Sequence, residues 1–271
     1  MKAEKRACCA ILLALCLPVA ACRYSPWETE PDCKDRLSKN LANLEESAAG
    51  SGDFRFAVFS DSHNEIGELD KIVSRINARG DISFVVVLGD ITNTGLLMEY
   101  EWACRALGKL DMPRFYAIGN HDAISFGKDV FNKMFGPYDY AIGYRESKLI
   151  VFNSNKFEFP DVPDYPLIAK LAEVSPGEVR RHTVGLAHVA PVVDVYDEED
   201  VRFEEAFYFE HGFNLAVHGH RNFHLWRDGY GTAHVMADLA SKGEYDVLTL
   251  HADSRVTLEV CRPDCAVHSA W

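Results

Sequence analysis

Apolar runs that stop abruptly at polar turns recur along this chain. Phe54–Phe59 (FRFAVF), Phe84–Leu88 (FVVVL) and Arg114–Ile118 (RFYAI) read as strands. The second has five apolar positions in a row and so no solvent side, which predicts burial on both faces of a sheet covered by helices. Between the first two strands, Ile66, Leu69, Ile72, Val73 and Ile76 share one helical face, and Gly80-Asp81 stop that helix. A second helix is expected over about Leu96–Leu110. Strand, helix, strand in this order gives parallel pairing and sets the strand ends side by side. Thr183–Ala187 and Phe213–Val217 predict two further strands. Three hairpins are expected: Tyr138–Tyr144 with Lys148–Asn153, Phe223–Arg227 with Thr232–Met236, and Tyr245–His251 with Arg255–Val260.

The polar turns are where composition becomes chemistry. Ser60-Asp61-Ser62-His63-Asn64, Gly89-Asp90 and Gly119-Asn120-His121-Asp122 follow the first three strands, and each brings oxygen or nitrogen donors. Taken singly, Asp61 and Asp90 suit helix caps, Asn120 an Asx-turn, and His63 and His121 a solvated surface. Three such clusters at neighbouring strand ends point instead to one site, because ligands collect beyond the carboxyl ends of strands in open α/β sheets.

At 271 residues and 48% hydrophobic content the chain can bury a full core, and we read one main domain. Its formal net charge of −13 argues against a long nucleic acid, whose affinity rests on Lys and Arg neutralising phosphates. A small phosphate ester remains compatible, because a local metal cluster outweighs the global field. The acidic stretch Asp194–Glu205 reads as a solvated loop and helix start, and Phe203, Phe207, Tyr208 and Phe209 as packing residues.

Residues 1–21 read as an address. Lys2, Lys5 and Arg6 precede an apolar run from Ala7 to Ala21, which is too short to span a bilayer. Val19-Ala20-Ala21-Cys22 resembles the lipobox of bacterial lipoproteins. That resemblance implies a lipidated Cys22, an exported protein of the bacterial cell envelope, and anchorage at the membrane facing the periplasm or cell surface. An ordinary signal peptide with an incidental Cys22 is the other reading. Residues 22–53 are expected to form a tether, interrupted by one loosely packed helix between Lys34 and Ser47. The main domain then occupies 54–260, with a tail at 261–271. Cys33, Cys104, Cys261 and Cys265 leave three disulfide connectivities open, and Cys261/Cys265 lacks the second ligand pair of a zinc finger.

Taken together, DSH, GDITNTG and GNHD at successive strand ends resemble the signature blocks of the calcineurin-like metallophosphoesterases, in their bacterial phosphodiesterase-like branch. His188-Val189-Ala190-Pro191 and His218-Gly219-His220-Arg221-Asn222 stand where that family has its later His blocks. The resemblance implies a four-layer α-β-β-α sandwich of two mixed sheets flanked by helices, with the late strands supplying the second sheet. It implies two divalent or mixed-valence metal ions (Mn, Fe or Zn). One would rest on Asp61, His63 and a His of the last block, the other on Asn120, His188 and that block's other His, with Asp90 bridging. Two cations so placed lower the pKa of a bridging water and clamp phosphate oxygens. His121 would stabilise the transition state or protonate the leaving oxygen, oriented by the amide of Asn93, which stands where relatives that act on phosphoproteins carry an Asp.

The last block admits two registers. His218 and His220 form the ligand pair if Val217 replaces the family Gly. If Gly219 is that Gly, His220 is paired with Asn222, with His224 nearby, and the first metal position is weakened. The first register keeps two imidazoles and is preferred. The expected activity is hydrolysis of a small phosphomonoester or phosphodiester in an exported compartment. The alternative is a lipid-anchored binding or scaffold protein on a degraded site.

Overall fold

The computed structural model describes residues 25–45, 50–193, 196–222 and 224–271. The expected signal peptide and Cys22 lie outside the described residues. The chain begins with α1 (Arg36–Glu45), followed by β1 (Phe54–Phe59), α2 (Ile66–Arg79), β2 (Phe84–Leu88), α3 (Leu97–Leu107) and β3 (Arg114–Ala117). Then come α4 (Gly127–Phe135), β4 (Tyr140–Tyr144), β5 (Ser147–Val151), α5 (Tyr165–Ala172), β6 (His182–Ala187) and α6 (Glu198–Glu210). The remainder is β7 (Leu215–His218), β8 (His224–Arg227), β9 (Ala233–Met236), β10 (Tyr245–Leu250), β11 (Val256–Cys261) and β12 (Cys265–Ala270).

The strands form two six-stranded mixed sheets, ordered β12-β11-β10-β1-β2-β3 and β4-β5-β6-β7-β9-β8. β1, β2 and β3 are parallel neighbours, as are β5, β6, β7 and β9. Alternation along each strand explains the layering. Phe56 and Val58 of β1 and Val86 of β2 face Ile142, Val184 and Val217 of the other sheet across a shared core. Ala57, Phe59 and Val87 point outward under α2 and α3, packed with Leu69, Ile72 and Tyr100. On the far side Ile150 and Ala216 lie under α5 and α6 with Ile168 and Phe207. The result is the expected α-β-β-α sandwich.

Three features depart from the sequence reading. The third hairpin, β10 and β11, joins the first sheet rather than the second, because β10 pairs antiparallel with β1 from Phe54↔Leu250 to Val58↔Asp246. Residues 261–271 are no tail: β12 adds a further antiparallel strand to β11 and carries Cys265, disulfide-bonded to Cys261. The segment before the domain is built into it rather than loosely tethered. Cys33 is disulfide-bonded to Cys104 of α3, Asn40 Nδ2 donates to the Arg114 carbonyl at 2.6 Å, and Leu44 is buried between the sheets. Closing the 71-residue separation between Cys33 and Cys104 restricts the unfolded chain by about 4 kcal/mol in the chain-entropy picture.

The acidic stretch starts α6 as expected, with Asp197 capping Glu199 N and Asp200 N, and Tyr196 and Glu204 are the buried residues of its described part. The buried carboxylate is that of Glu204, with Tyr208 donating to it at 2.6 Å and Tyr165 at 3.3 Å. Burial raises its pKa to about 7, and the Tyr208 hydroxyl only partly opposes this. The folded chain therefore binds a proton here that the unfolded chain has released. Stability from this group is fully present below the ordinary Glu value and is lost as pH rises through about 7. Glu204→Gln is expected to remove that loss, on the order of 3 kcal/mol, from the difference in unfolding free energy between pH 4.5 and 8, checked by urea titrations at both pH values.

Candidate metal centre

The loops at the strand ends are laced together by their own backbones. Asp61 N donates to Gly89 O at 3.0 Å and His63 N to Asp90 O at 3.1 Å, so the ends of β1 and β2 face each other. Asp61, His63, Asp90 and His220 all hold positive φ, between 45° and 69°. Non-glycine residues rarely adopt this backbone, and such strain concentrates at functional sites. The end of β3 comes equally close: a Cβ on Gly119 would lie 2.2 Å from both Asp90 N and Asp90 Oδ1, so only glycine fits. His121 N then donates to Asp90 Oδ1 at 2.9 Å.

Four donors from four loops converge on one point. His188 Nε2 lies 3.3 Å from Asp90 Oδ2, 3.1 Å from Asn120 Oδ1 and 3.2 Å from His220 Nδ1, and the last is 3.0 Å from Asn120 Oδ1. The His188 ring is fully buried, and its Nδ1–H donates to the Leu88 carbonyl at 2.6 Å. That bond fixes the tautomer and turns Nε2 toward the cluster, as carbonyls commonly do for metal-ligating imidazoles.

The local field fits a cation. Burial alone would push the His188 pKa down, yet the carboxylates of Asp90 and Asp61 hold it up at about 10. Asp90 is held down at about 2 by the same imidazole against the effect of burial. His220 is lowered to about 4 by burial and by the charge on His188, so it stays neutral and able to coordinate. Two imidazoles, one carboxylate and one amide oxygen around a site that favours positive charge suit Mn, Fe or Zn, and these residues fit the group.

Beside this set lies a smaller one. His63 Nε2 is 3.5 Å from Asp61 Oδ1 and 3.8 Å from Asp90 Oδ2, and His63, Asp90 and His121 also bring donor atoms within mutual reach. Asp90 thus belongs to both groups. Among the described residues, no imidazole beyond His63 and His121 joins the smaller set.

The last block adopts the register with Gly219 at the close approach. A Cβ there would meet Ser60 Cβ at 2.6 Å and Leu88 O at 2.8 Å, which requires glycine. Only His220 enters the cluster, and His218 does not. As the next outward position of β7 after Ala216, His218 is buried against His234, its ring stacked at 5.7 Å, and against Trp226. Burial keeps it well below the ordinary imidazole pKa. His218→Leu is expected to leave bound metal unchanged, whereas His220→Ala is expected to lower it, with elemental analysis of the two purified variants as the check. Asn222 and His224 are exposed. The Asn222 amide oxygen accepts from Lys242 Nζ at 3.1 Å, and His224 stacks on Trp226 at 5.4 Å.

The role expected of the Asn93 side chain is also corrected. That side chain is exposed, and it is the Asn93 backbone carbonyl that meets His121 Nδ1 at 2.9 Å. The nearby carboxylate with a positioning function is Asp122, whose role the sequence did not suggest. Fully buried, it accepts from Thr92 N and Thr92 Oγ1 at 2.9 Å and from Gly119 N at 3.1 Å, clamping the β2 and β3 loops together. Burial and the charge on Asp90 raise its pKa to about 6.

Residues 54–263 match the sequence pattern described as calcineurin-like phosphoesterase. No curated protein matches the chain. Among solved structures, it is similar to the purple acid phosphatase PPD1 from yellow lupin (Lupinus luteus) seeds, with 14% identity and a TM-score of 0.61 over 82% of this chain and 54% of that one. It is also similar to GAP50, the anchor in the inner membrane complex of Plasmodium, with 13% identity and a TM-score of 0.60 over 81% of this chain and 88% of that one. A third similar structure, TT1561 of Thermus thermophilus, is 15% identical, with a TM-score of 0.55 over 76% of this chain and 97% of that one. These likenesses show a shared fold, and this chain spans about half the length of the lupin phosphatase.

Proposed function

The chain belongs to the calcineurin-like phosphoesterase family, hydrolases of phosphate esters that depend on divalent metal ions, and from this we propose that it hydrolyses a small phosphomonoester or phosphodiester at two unequal metal positions. The convergence of Asp90, Asn120, His188 and His220 on one buried point carries the reading. The complete set would hold one ion firmly. The set of Asp61, His63 and the shared Asp90 would hold a second more weakly. Such ions, when bound, act as Lewis acids on the phosphoryl group and on water.

The chain's own residues supply the rest. Asp90 ties the two positions together, and the Leu88 carbonyl holds the His188 ring in its coordinating tautomer. With Nδ1 donating to the Asn93 carbonyl, His121 is left with Nε2 to exchange a proton with a leaving-group oxygen. We place this activity in the cell envelope, on a protein anchored through Cys22, because the leader ends in a lipobox-like sequence. The exposed Asn222 favours a second reading, a scaffold protein on a decayed site. Protein stripped with a chelator and reloaded with Mn separates the two: turnover of bis-p-nitrophenyl phosphate restored by Mn supports the enzyme, and none at any Mn concentration supports the scaffold.

A further inference from the structure

Large apolar side chains are exposed on the loops that build the centre. Ile124 and Phe126 follow His121, and Ile124 N donates to the His121 carbonyl at 3.3 Å, so both stand on the turn that presents the acid-base imidazole. Phe157, 77% exposed, lies in the loop after β5. That loop is tied to the end of β3, where Asn155 Nδ2 donates to the Ile118 carbonyl at 2.9 Å, and to α4, where Lys128 Nζ donates to the Glu158 carbonyl. Val192, also exposed, lies just past His188 in the loop after β6, which Val189 N joins to the Phe157 loop by donating to Ser154 Oγ at 2.8 Å. The N-terminal segment adds Trp27, 76% exposed, whose ring meets Phe126 edge-on at 5.8 Å. Lys133 Nζ of α4 holds that segment in place by donating to the Thr29 carbonyl at 3.3 Å.

Large apolar residues left uncovered around one opening mark a place where another surface sits. We propose that this rim is a membrane-docking surface, which holds the mouth of the metal centre against lipid headgroups. The inference rests on the reading of Cys22 as the anchor and adds to it the face that is turned to the lipid. Cys22 stands five positions before Trp27, and five residues span at most roughly 18 Å when fully extended, so an acyl chain on Cys22 keeps Trp27 within reach of the headgroups. A tryptophan with apolar neighbours suits that layer, where the indole buries its ring and keeps its N–H in water. The net charge of −13 opposes anionic lipid, so the contact is apolar and fits a zwitterionic surface.

The test places the full-length, lipidated protein on phosphatidylcholine vesicles with brominated acyl chains and reads tryptophan fluorescence against vesicles of the unbrominated lipid. Trp27 is one of four tryptophans, so wild type is expected to lose about one quarter of its emission and Trp27→Ser almost none. Phe126→Ser/Phe157→Ser is expected to reduce the quenching roughly twofold or more while the protein stays on the vesicles. All the substituted side chains are exposed, so both variants should melt with wild type. Wild type that stays on the vesicles unquenched, or quenching that survives in Trp27→Ser, overturns the docking surface, and a dimer seen by sedimentation in the first case makes a second copy the occupant. Mn-dependent turnover of the same preparation shows that the phosphoesterase reading stands in either case. Wild type whose Cys22 carries no acyl chain by mass spectrometry, and which stays off the vesicles, overturns the anchored reading and this inference with it.

Discussion

Asp90→Ala is expected to strip the centre of metal and to lower kcat/KM on the order of a thousandfold or more, because the metal is what activates water and polarises the phosphoryl group. Among the described residues Asp90 alone stands in both donor groups: Asp90 Oδ2 is 3.3 Å from His188 Nε2 and 3.8 Å from His63 Nε2. Its other oxygen accepts from His121 N, so the substitution also frees the start of the turn that carries the acid-base imidazole. Removing this one carboxylate deprives the buried His188 of its strongest counter-charge, so its pKa falls and the site loses the negative charge that holds a cation. Metal content by elemental analysis and bis-p-nitrophenyl phosphate kinetics on the same preparation check both parts.

The second large effect separates chemistry from metal binding. His121→Ala is expected to lower kcat by roughly a hundred- to ten-thousandfold, the range of a lost general acid, while bound metal stays at the wild-type level. The ring lies 4.9 Å from the His63 ring, and its Nδ1 meets the Asn93 carbonyl rather than a carboxylate. Turnover unchanged in this variant would remove the acid role. A parallel loss of metal would make His121 a ligand of the smaller donor group instead.

Much of this arrangement was legible from the chain alone, and the reasons are local. Strands β1, β2 and β3 announce themselves by apolar runs that end at glycine or at short polar residues, so their ends, and with them Asp61, His63, Asp90, Asn120 and His121, could be set side by side before any coordinates. His188 followed the same way from β6. The register of the last block was not legible, because HGHRN offers imidazoles at two spacings and the choice rests on a contact between distant segments. Gly219 must pass within reach of Ser60 and Leu88, and that forces His218 outward to His234.

Other misses share that origin. β12 is an exposed edge whose residues are small apart from Val267 and His268 and do not alternate, so its pairing with β11 leaves almost no pattern in the sequence. Cys261 and Cys265 lie just either side of the turn, but spacing alone did not choose their pairing. α4 and α5 are short, and α5 starts with Asp164 capping Leu167 N ahead of Pro166, a signal present in the sequence but overlooked. Asn93 misled because its side chain was credited with what its carbonyl does.

The measurement that bears most directly on the centre is anomalous diffraction at the manganese edge from crystals grown with Mn. The expected result is a strong peak bounded by Asp90, Asn120, His188 and His220, with a weaker one or none between Asp61 and His63. A dominant peak at His218 and His234, or none within the Asp90 cluster in protein that turns over substrate, would contradict it.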